Sequence, residues 1–309
     1  MSESEGDKLM EKAESKTTVT MFRWKPDWEA AQPLFEKAAL AYKKAGATSK
    51  SKAAYEKASL AQERLNAPWH AAKLLETAGT LAKECAEDEV AEFFRRACSL
   101  YAEAGRAQSG ADALCRGAKA VEAKDPNSAA ELLKQACEIY ESEEKQHYAH
   151  DAHRSLIGLH VKSERYAEAA EALQRFATCC SKSGATNNQN KAYLGVVVVW
   201  LYAQNAKEAD ACYNDSLGVD SFMSSEEATA ASDLLSAYRG GEVEQVRSCL
   251  KRTFTFQNLD NMIARLAAKL PVGDVAAMAG QMRGGSEQAQ SGSWEKRAED
   301  VELDEDDLC

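Results

Sequence analysis

Residues 93–105, FFRRACSLYAEAG, and 132–144, LLKQACEIYESEE, align without a gap. Each carries an apolar pair, a basic residue, Ala-Cys, then an apolar residue and a tyrosine. Tyr101 and Tyr140 stand 39 residues apart, and Cys180 follows after another 40. The intervening segments keep the same step through Tyr42, Ala82, Val121, Val161 and Tyr202. Two interleaved series at one period mean one helical hairpin per repeat, each burying its apolar stripe against the next. The expected fold is therefore all-α: a TPR-like, right-handed superhelical solenoid of antiparallel helix hairpins. Its period exceeds the roughly 34 residues of a standard tetratricopeptide repeat.

Local signals agree with that period. Apolar residues recur at helical spacing, as with Leu34, Ala38, Ala41 and Ala45 in LFEKAALAYKKAG. Breaks are expected at Gly46, Asn66-Ala67-Pro68, Gly105, Asp125-Pro126, near Glu144, at Gly184 and near Asn205. Asp125 before Pro126 is an N-cap acceptor followed by a ring that needs no amide hydrogen, and Pro68 starts a helix in the same way. The valine run at 196–199 alone favours a strand, but its place on the 40-residue step makes it a buried helix. The period fades after about residue 218. SSEEATAASDLLSAYRGG reads as a helix with Ser225 as N-cap and Gly240-Gly241 as its stop. EVEQVRSCLKRT, LDNMIARLAAKL and GDVAAMAGQM add further helices, and RGGSEQAQSGS reads as a linker. The expected organisation is an N-terminal segment (1–26), the solenoid (27–217), a C-terminal helical bundle (218–282) and a flexible linker with an acidic tail (283–309).

Charge and cysteine usage exclude several classes. The net charge is −11, but the last dozen residues, AEDVELDEDDLC, hold seven acids and no base. Without them 38 bases face 42 acids, a body without the basic excess that phosphate neutralisation needs, so no nucleic-acid partner is expected. Nine cysteines show no C-x-x-C pair, and Cys85, Cys98, Cys115, Cys137 and Cys212 read as small core residues. The N-terminus lacks an apolar signal region, and the longest apolar run, residues 192–203, is too short to span a bilayer. A cytoplasmic protein with reduced thiols is expected.

Candidate chemistry is sparse. No phosphate loop, nucleophile elbow or H-E-x-x-H occurs. His147, His150 and His153 in QHYAHDAHRSL drift around one helix rather than sharing a face, so exposed histidines are expected and not a metal site. The ends carry more. In TMFRWKPDW (20–28), Met21, Phe22 and Trp24 either fold back as a hydrophobic staple before Asp27 caps the first helix or stand in a lipid-seeking loop. In that loop Arg23 and Lys25 would meet anionic headgroups. Pro33 offers a second start for the helix. The terminal VELDEDDLC is either a solubilising acidic tail or a docking peptide with Leu308 as its apolar anchor.

The hairpin period, the aromatic N-terminal loop, the helical cap and the acidic end with penultimate Leu308 together resemble the SNAP family of soluble NSF-attachment proteins, in its gamma type. WKPDWEAA (24–31), SFMSSEEATAASDLLSAY (221–238), LDNMIARLAAKLP (259–271) and the closing Leu308-Cys309 carry the resemblance, which covers essentially the whole chain. It implies an adaptor without catalysis and without a cofactor. Its partners would be a syntaxin-type SNARE four-helix bundle and the hexameric AAA ATPase NSF, which takes spent SNARE complexes apart during vesicle trafficking. The resemblance implies that Leu308, after Asp304, Glu305, Asp306 and Asp307, contacts NSF, and that Met21, Phe22 and Trp24 contact membrane. Membranes of the secretory or endosomal pathway are the implied place of work. Of the solenoid cations that grip SNAREs in alpha-type members, Arg106 is retained after its glycine, while Asp, Ser or Glu stands at several others. Arg116, Lys119, Arg154 and Lys162 are candidate replacements. The competing expectation is a generic TPR-like scaffold for other helical or peptide partners.

Overall fold

A computed structural model describes residues 2–19, 21 and 24–282, and among these there is helix and turn but no strand. The chain divides into two compact units, Met1–Leu159 and His160–Cys309. The first unit runs through α1 (Glu3–Thr17), α2 (Trp28–Lys44), α3 (Thr48–Arg64), α4 (Pro68–Cys85), a 3-10 turn (Glu87–Glu89), α5 (Val90–Glu103), α6 (Ala107–Val121) and α7 (Pro126–Ser142). It ends within α8 (Gln146–Lys162). Each helix from α1 to α6 packs on the next, and α4 also touches α6, as α5 touches α7.

One device builds seven of the turns. At Gly46, Asn66, Gly105, Glu144, Glu164, Gly184 and Gln204 the backbone is left-handed, with φ from 55 to 75°. The next residue's N–H then bonds a carbonyl five residues back, as in Ala47 to Tyr42 (3.0 Å), Arg106 to Tyr101 (2.8 Å) and Lys145 to Tyr140 (2.8 Å). This is the Schellman closure, which satisfies carbonyls left open at a helix C-terminus. The donor is at the same time the residue that opens the next helix: Ala47 caps α3 and Arg106 caps α6. Two successive helices therefore share one residue, and the helix starts fall about 20 residues apart. The expected breaks at Gly46, Gly105, near Glu144 and at Gly184 lie at these turns. The turn at Glu164 has no glycine, proline or asparagine and was not foreseen.

Close packing needs small residues. A Cβ added at Gly117 on α6 would lie 2.7 Å from the Cβ and Cγ of Phe94, and one at Gly79 on α4 would lie 3.1 Å from Phe94 Cε2. Phe94, 3% exposed, is thus held between two bare backbones. Tyrosines at the repeat position tie α2, α5 and α7 each to the helix before. Tyr42 donates to Asp7 (2.9 Å), Tyr101 to Glu76 (2.6 Å) and Tyr140 to Asp112 (2.6 Å). Ion pairs connect alternate helices: Lys50 with Glu3 and Asp7, Lys57 with Glu14, and Arg96 with Glu56.

The second unit holds α9 (Tyr166–Lys182), α10 (Thr186–Tyr202), α11 (Ala206–Ser216), α12 (Asp220–Met223), α13 (Glu226–Gly240) and α14 (Val243–Arg252). A 3-10 turn (Phe254–Asn258), α15 (Asn261–Ala267) and a helical segment at 275–282 follow. The valines at 196–199 are helical, and α10 is buried on nearly every side, in contact with α9, α11, α12, α13 and α15. Ser225 caps α13 by accepting from Ala228 N (3.1 Å), and Gly241 closes it at φ 78°. Tail residues 304–308 lie outside the described residues.

Two expectations about composition are corrected. Of the five cysteines expected in the core only Cys137 is buried; Cys98, Cys115 and Cys212 are half-buried and Cys85 is exposed. The histidines are not a surface set either: His147 is exposed, but His150 and His153 are buried, with His153 Nε2 2.8 Å from Glu141. Burial, then the charge of Arg154, pushes the His150 pKa below its ordinary value.

Candidate adaptor surfaces

The first candidate surface is the loop between α1 and α2. Residues 3–17 read as a merely polar stretch because their buried face rests on Gly6 and Ala13. They form α1 nonetheless. The Gly6 backbone lies against the Tyr42 ring, and Ala13 packs with Ala31, Phe35, Ala58 and Ala61, joined by Met10 and Trp28. The base of the loop is closed by the Asp27 N–H donating to Lys16 O (3.0 Å). Asp27 also caps α2, its carboxylate accepting from Ala30 N at 3.1 Å. Pro33 lies inside α2 and does not start it.

The two tryptophans of the loop region part company at this cap. Trp28 joins the core cluster, whereas Trp24 is 86% exposed and Met21 90%. A staple would bury these side chains against the first helix, so the staple reading fails for Met21 and Trp24. Phe22, with Arg23, lies outside the described residues.

The second surface is the row of even-numbered helices in the first unit. Arg106 is exposed at the α5–α6 turn, its backbone engaged on both sides. Arg116 is held at 2.7 Å by Glu76, which also accepts from Tyr101. Burial and this carboxylate both raise the Tyr101 pKa, so the hydroxyl stays a donor. Arg116 and Lys119 line a groove of about 430 Å³ between α6 and α8, with Leu133 of α7, Ser155 and Leu159 among its walls. Among the described residues Lys119 has no acidic partner. Arg154, next to Ser155 in the chain, lies 3.7 Å from Asp151. Lys162 is exposed in the second unit. A matching groove of about 460 Å³ between α2 and α4 is lined by Lys43, Lys73, Thr77 and Thr80, which sequence reading missed. No local motif marks these two lysines; helix register alone brings them together. The Arg116 partner was legible, since Glu76 and Arg116 are opposite charges one repeat apart, as are Glu56 and Arg96.

The third surface is the root of the tail. Val275, Met278, Ala279 and Met282 are buried. Gln281 bridges the α10–α11 turn, accepting from Ala206 N (2.9 Å) and donating to Gln204 O (3.3 Å). It thereby satisfies one open donor of α11 and one open acceptor of the turn.

With these surfaces in place, comparison with known proteins assigns the chain. Residues 4–270 match the family model described as soluble NSF attachment protein, SNAP. The chain belongs to the SNAP family. It is 40% identical over 276 residues to the gamma-soluble NSF attachment protein of Arabidopsis thaliana, covering 89% of this chain and 94% of that one. Against the protein of the same name from Dictyostelium discoideum the identity is 30% over 269 residues, covering 87% and 83%. A solved structure of BtubC from P. vanneervenii is similar at TM-score 0.36 and 16% identity, over 72% of this chain and 90% of that one. SNAP proteins are adaptors connected with NSF and SNAREs, not enzymes, and no described helix of this member is long and apolar enough to cross a membrane.

Proposed function

We propose that this SNAP protein grips a syntaxin-type SNARE four-helix bundle and brings NSF to it for disassembly on membranes of the secretory or endosomal pathway. The observation that carries this reading is the family match across residues 4–270, shared with relatives named for NSF attachment. The even-helix row of the first unit supports it with exposed cations on unlike backbone settings: Arg106 at a turn, Arg116 and Lys119 in one groove, and Arg154 beside Ser155 of that groove's wall; Lys162, exposed in the second unit, is a separate candidate. The cations of an adaptor face suit the acidic surface of a SNARE bundle. Met21 and Trp24 supply a membrane arm. Two large apolar side chains held in water by a loop closed at its base suit insertion at a lipid interface, weak alone and useful when a second contact assists. Leu308, behind Asp304, Glu305, Asp306 and Asp307, is the NSF-contact element.

The test is ATP hydrolysis by NSF with this protein and a SNARE complex, comparing wild type with Leu308→Ala. Stimulation that falls in the variant is expected. Stimulation unchanged by the substitution removes the tail from the mechanism, and none with several SNARE complexes overturns the adaptor reading. In parallel, Trp24→Ser with Met21→Ser is expected to weaken liposome binding while leaving binding to soluble SNARE complex unchanged.

A further inference from the structure

In an acidic chain, one stretch runs the other way. Residues 245–270 hold Arg247, Lys251, Arg252, Arg265 and Lys269 against a single acid, Asp260. Lys251 and Arg252 close α14, Arg265 and Lys269 lie on or just after α15, and the 3-10 turn Phe254–Asn258 packs on both helices. These four cations are exposed, and among the described residues none of them makes an ion pair. Arg252 shares the α13–α14 groove with Asp233 and Glu244 without pairing to either, and Glu244 itself holds Arg247 at 2.8 Å. Phe254, which opens the 3-10 turn between the two helices, is 65% exposed. Unpaired cations on two helices joined by a turn with an unburied ring make a surface that wants an acidic partner with an apolar side chain.

We propose that the acidic end of the chain itself docks on this patch in the free protein. Residues 299–307 carry Glu299, Asp300, Glu302, Asp304, Glu305, Asp306 and Asp307, with Leu303 and Leu308 as apolar companions and no base. The root of the tail starts within reach of the patch. The segment 275–282, pinned by Gln281, packs beside Gly241, where an added Cβ would meet Ala279 Cβ at 3.7 Å. Gly241 lies two residues before α14, and the ten residues of that helix place Lys251 and Arg252 about 15 Å further on. A chain leaving Met282 covers on the order of 25–30 Å by the time it reaches Asp304, if it behaves as a Gly/Ser-rich linker. Tethering at that reach gives an effective concentration in the millimolar range, which a separate acidic partner rarely matches.

The consequence rests on the NSF reading of Leu308: the same residue would be covered by Phe254 until a partner displaces the tail. The contact itself does not depend on that reading and is tested without NSF. Full-length protein is treated with a zero-length carbodiimide, which joins carboxylates to lysine amines in contact, and the products are mapped by mass spectrometry. Linkage of residues 299–307 to Lys251 and Lys269 is expected to exceed linkage to the exposed Lys8 and Lys12 of α1 by about tenfold, in keeping with a tethered local concentration. It should fall when salt rises from about 0.05 to about 0.5 M, because the Debye length shrinks below 5 Å. Arg252→Glu with Phe254→Ser should cut it several-fold with helix content unchanged by circular dichroism. Even yields across exposed lysines, or yields indifferent to salt and to the substitutions, overturn the proposal. So does linkage found only between copies of different isotope label.

Discussion

Helices α3 and α10 are both 17 residues long, and they could hardly be buried more differently. In α3 the covered side is a stripe of Ala54, Ala58 and Ala61 with Ser51, Tyr55 and Ser59, and the opposite side carries Ser49, Lys50, Lys57 and Leu60 into solvent. In α10 burial continues around the helix, from Gln189 and Asn190 through the valines at 196–199 to Leu201. The difference lies in the neighbours. A helix inside a row of hairpins packs on the helices before and after it and keeps an open side, so its sequence must be amphipathic. Helix α10 packs on α9 and α11 as a repeat helix does, but α12, α13 and α15 cover what would otherwise be its open side. A helix covered all round needs no polar face, and β-branched residues are tolerated there because packing outweighs propensity. The irregular second half of the chain thus completes a core that the repeats alone leave unfinished.

The sharpest way to break this comparison is to place a charge on each helix. Val198→Asp puts a carboxylate at a fully buried site and is expected to cost about 4 kcal/mol or more. Leu60→Asp, at a site 39% exposed, should cost less than about 1 kcal/mol. Equal losses in denaturant unfolding would mean that α10 has an open side after all. A smaller effect sharpens the account of the repeat rows. Gly117→Ala drives a Cβ to 2.7 Å from Phe94 and is expected to cost about 1–3 kcal/mol, although alanine is the better helix former. A double-mutant cycle with Phe94→Leu should show strong coupling, and simple additivity would place the strain elsewhere. The smallest effect concerns the turns. Glu144 sits at φ 55°, where glycine carries no steric cost, so Glu144→Gly should raise stability by about 0.5–1 kcal/mol. A fall in melting temperature would show that the Glu144 side chain contributes more than its backbone strain removes.

The repeat was legible because its signals are local and redundant: Tyr101 and Tyr140 mark equivalent helices, and glycines mark three of the turns. What stayed hidden had a physical reason in each case. The turn at Glu164 is left-handed without any residue that prefers to be so, since the surrounding helices enforce it. Helix α1 was missed because its covered face is made of Gly6 and Ala13, which add little to a hydrophobic pattern yet allow close approach to Tyr42. His150 and His153 were misplaced because helix phase, and not polarity, decides which side of α8 faces inward. At the candidate surfaces the sequence marked Met21 and Trp24 but left two fates open, and exposure of both side chains removes the staple. The groove with Lys43 and Lys73 needed three dimensions, because neither residue lies in a local motif.

The turns in which one residue ends a helix and begins the next leave no slack in the chain. A single residue inserted at such a junction would have to be absorbed by a looped-out bulge or by rotating the following helix about 100°, which turns its apolar stripe away from its neighbour. Change in length is therefore tolerated in whole helices or at the junctions built differently, such as residues 86–89 and the loop before Asp27. A lineage of such proteins should lengthen or shorten by quanta of about 20 residues and keep its gaps at those few places, a grammar that a set of related sequences would display directly.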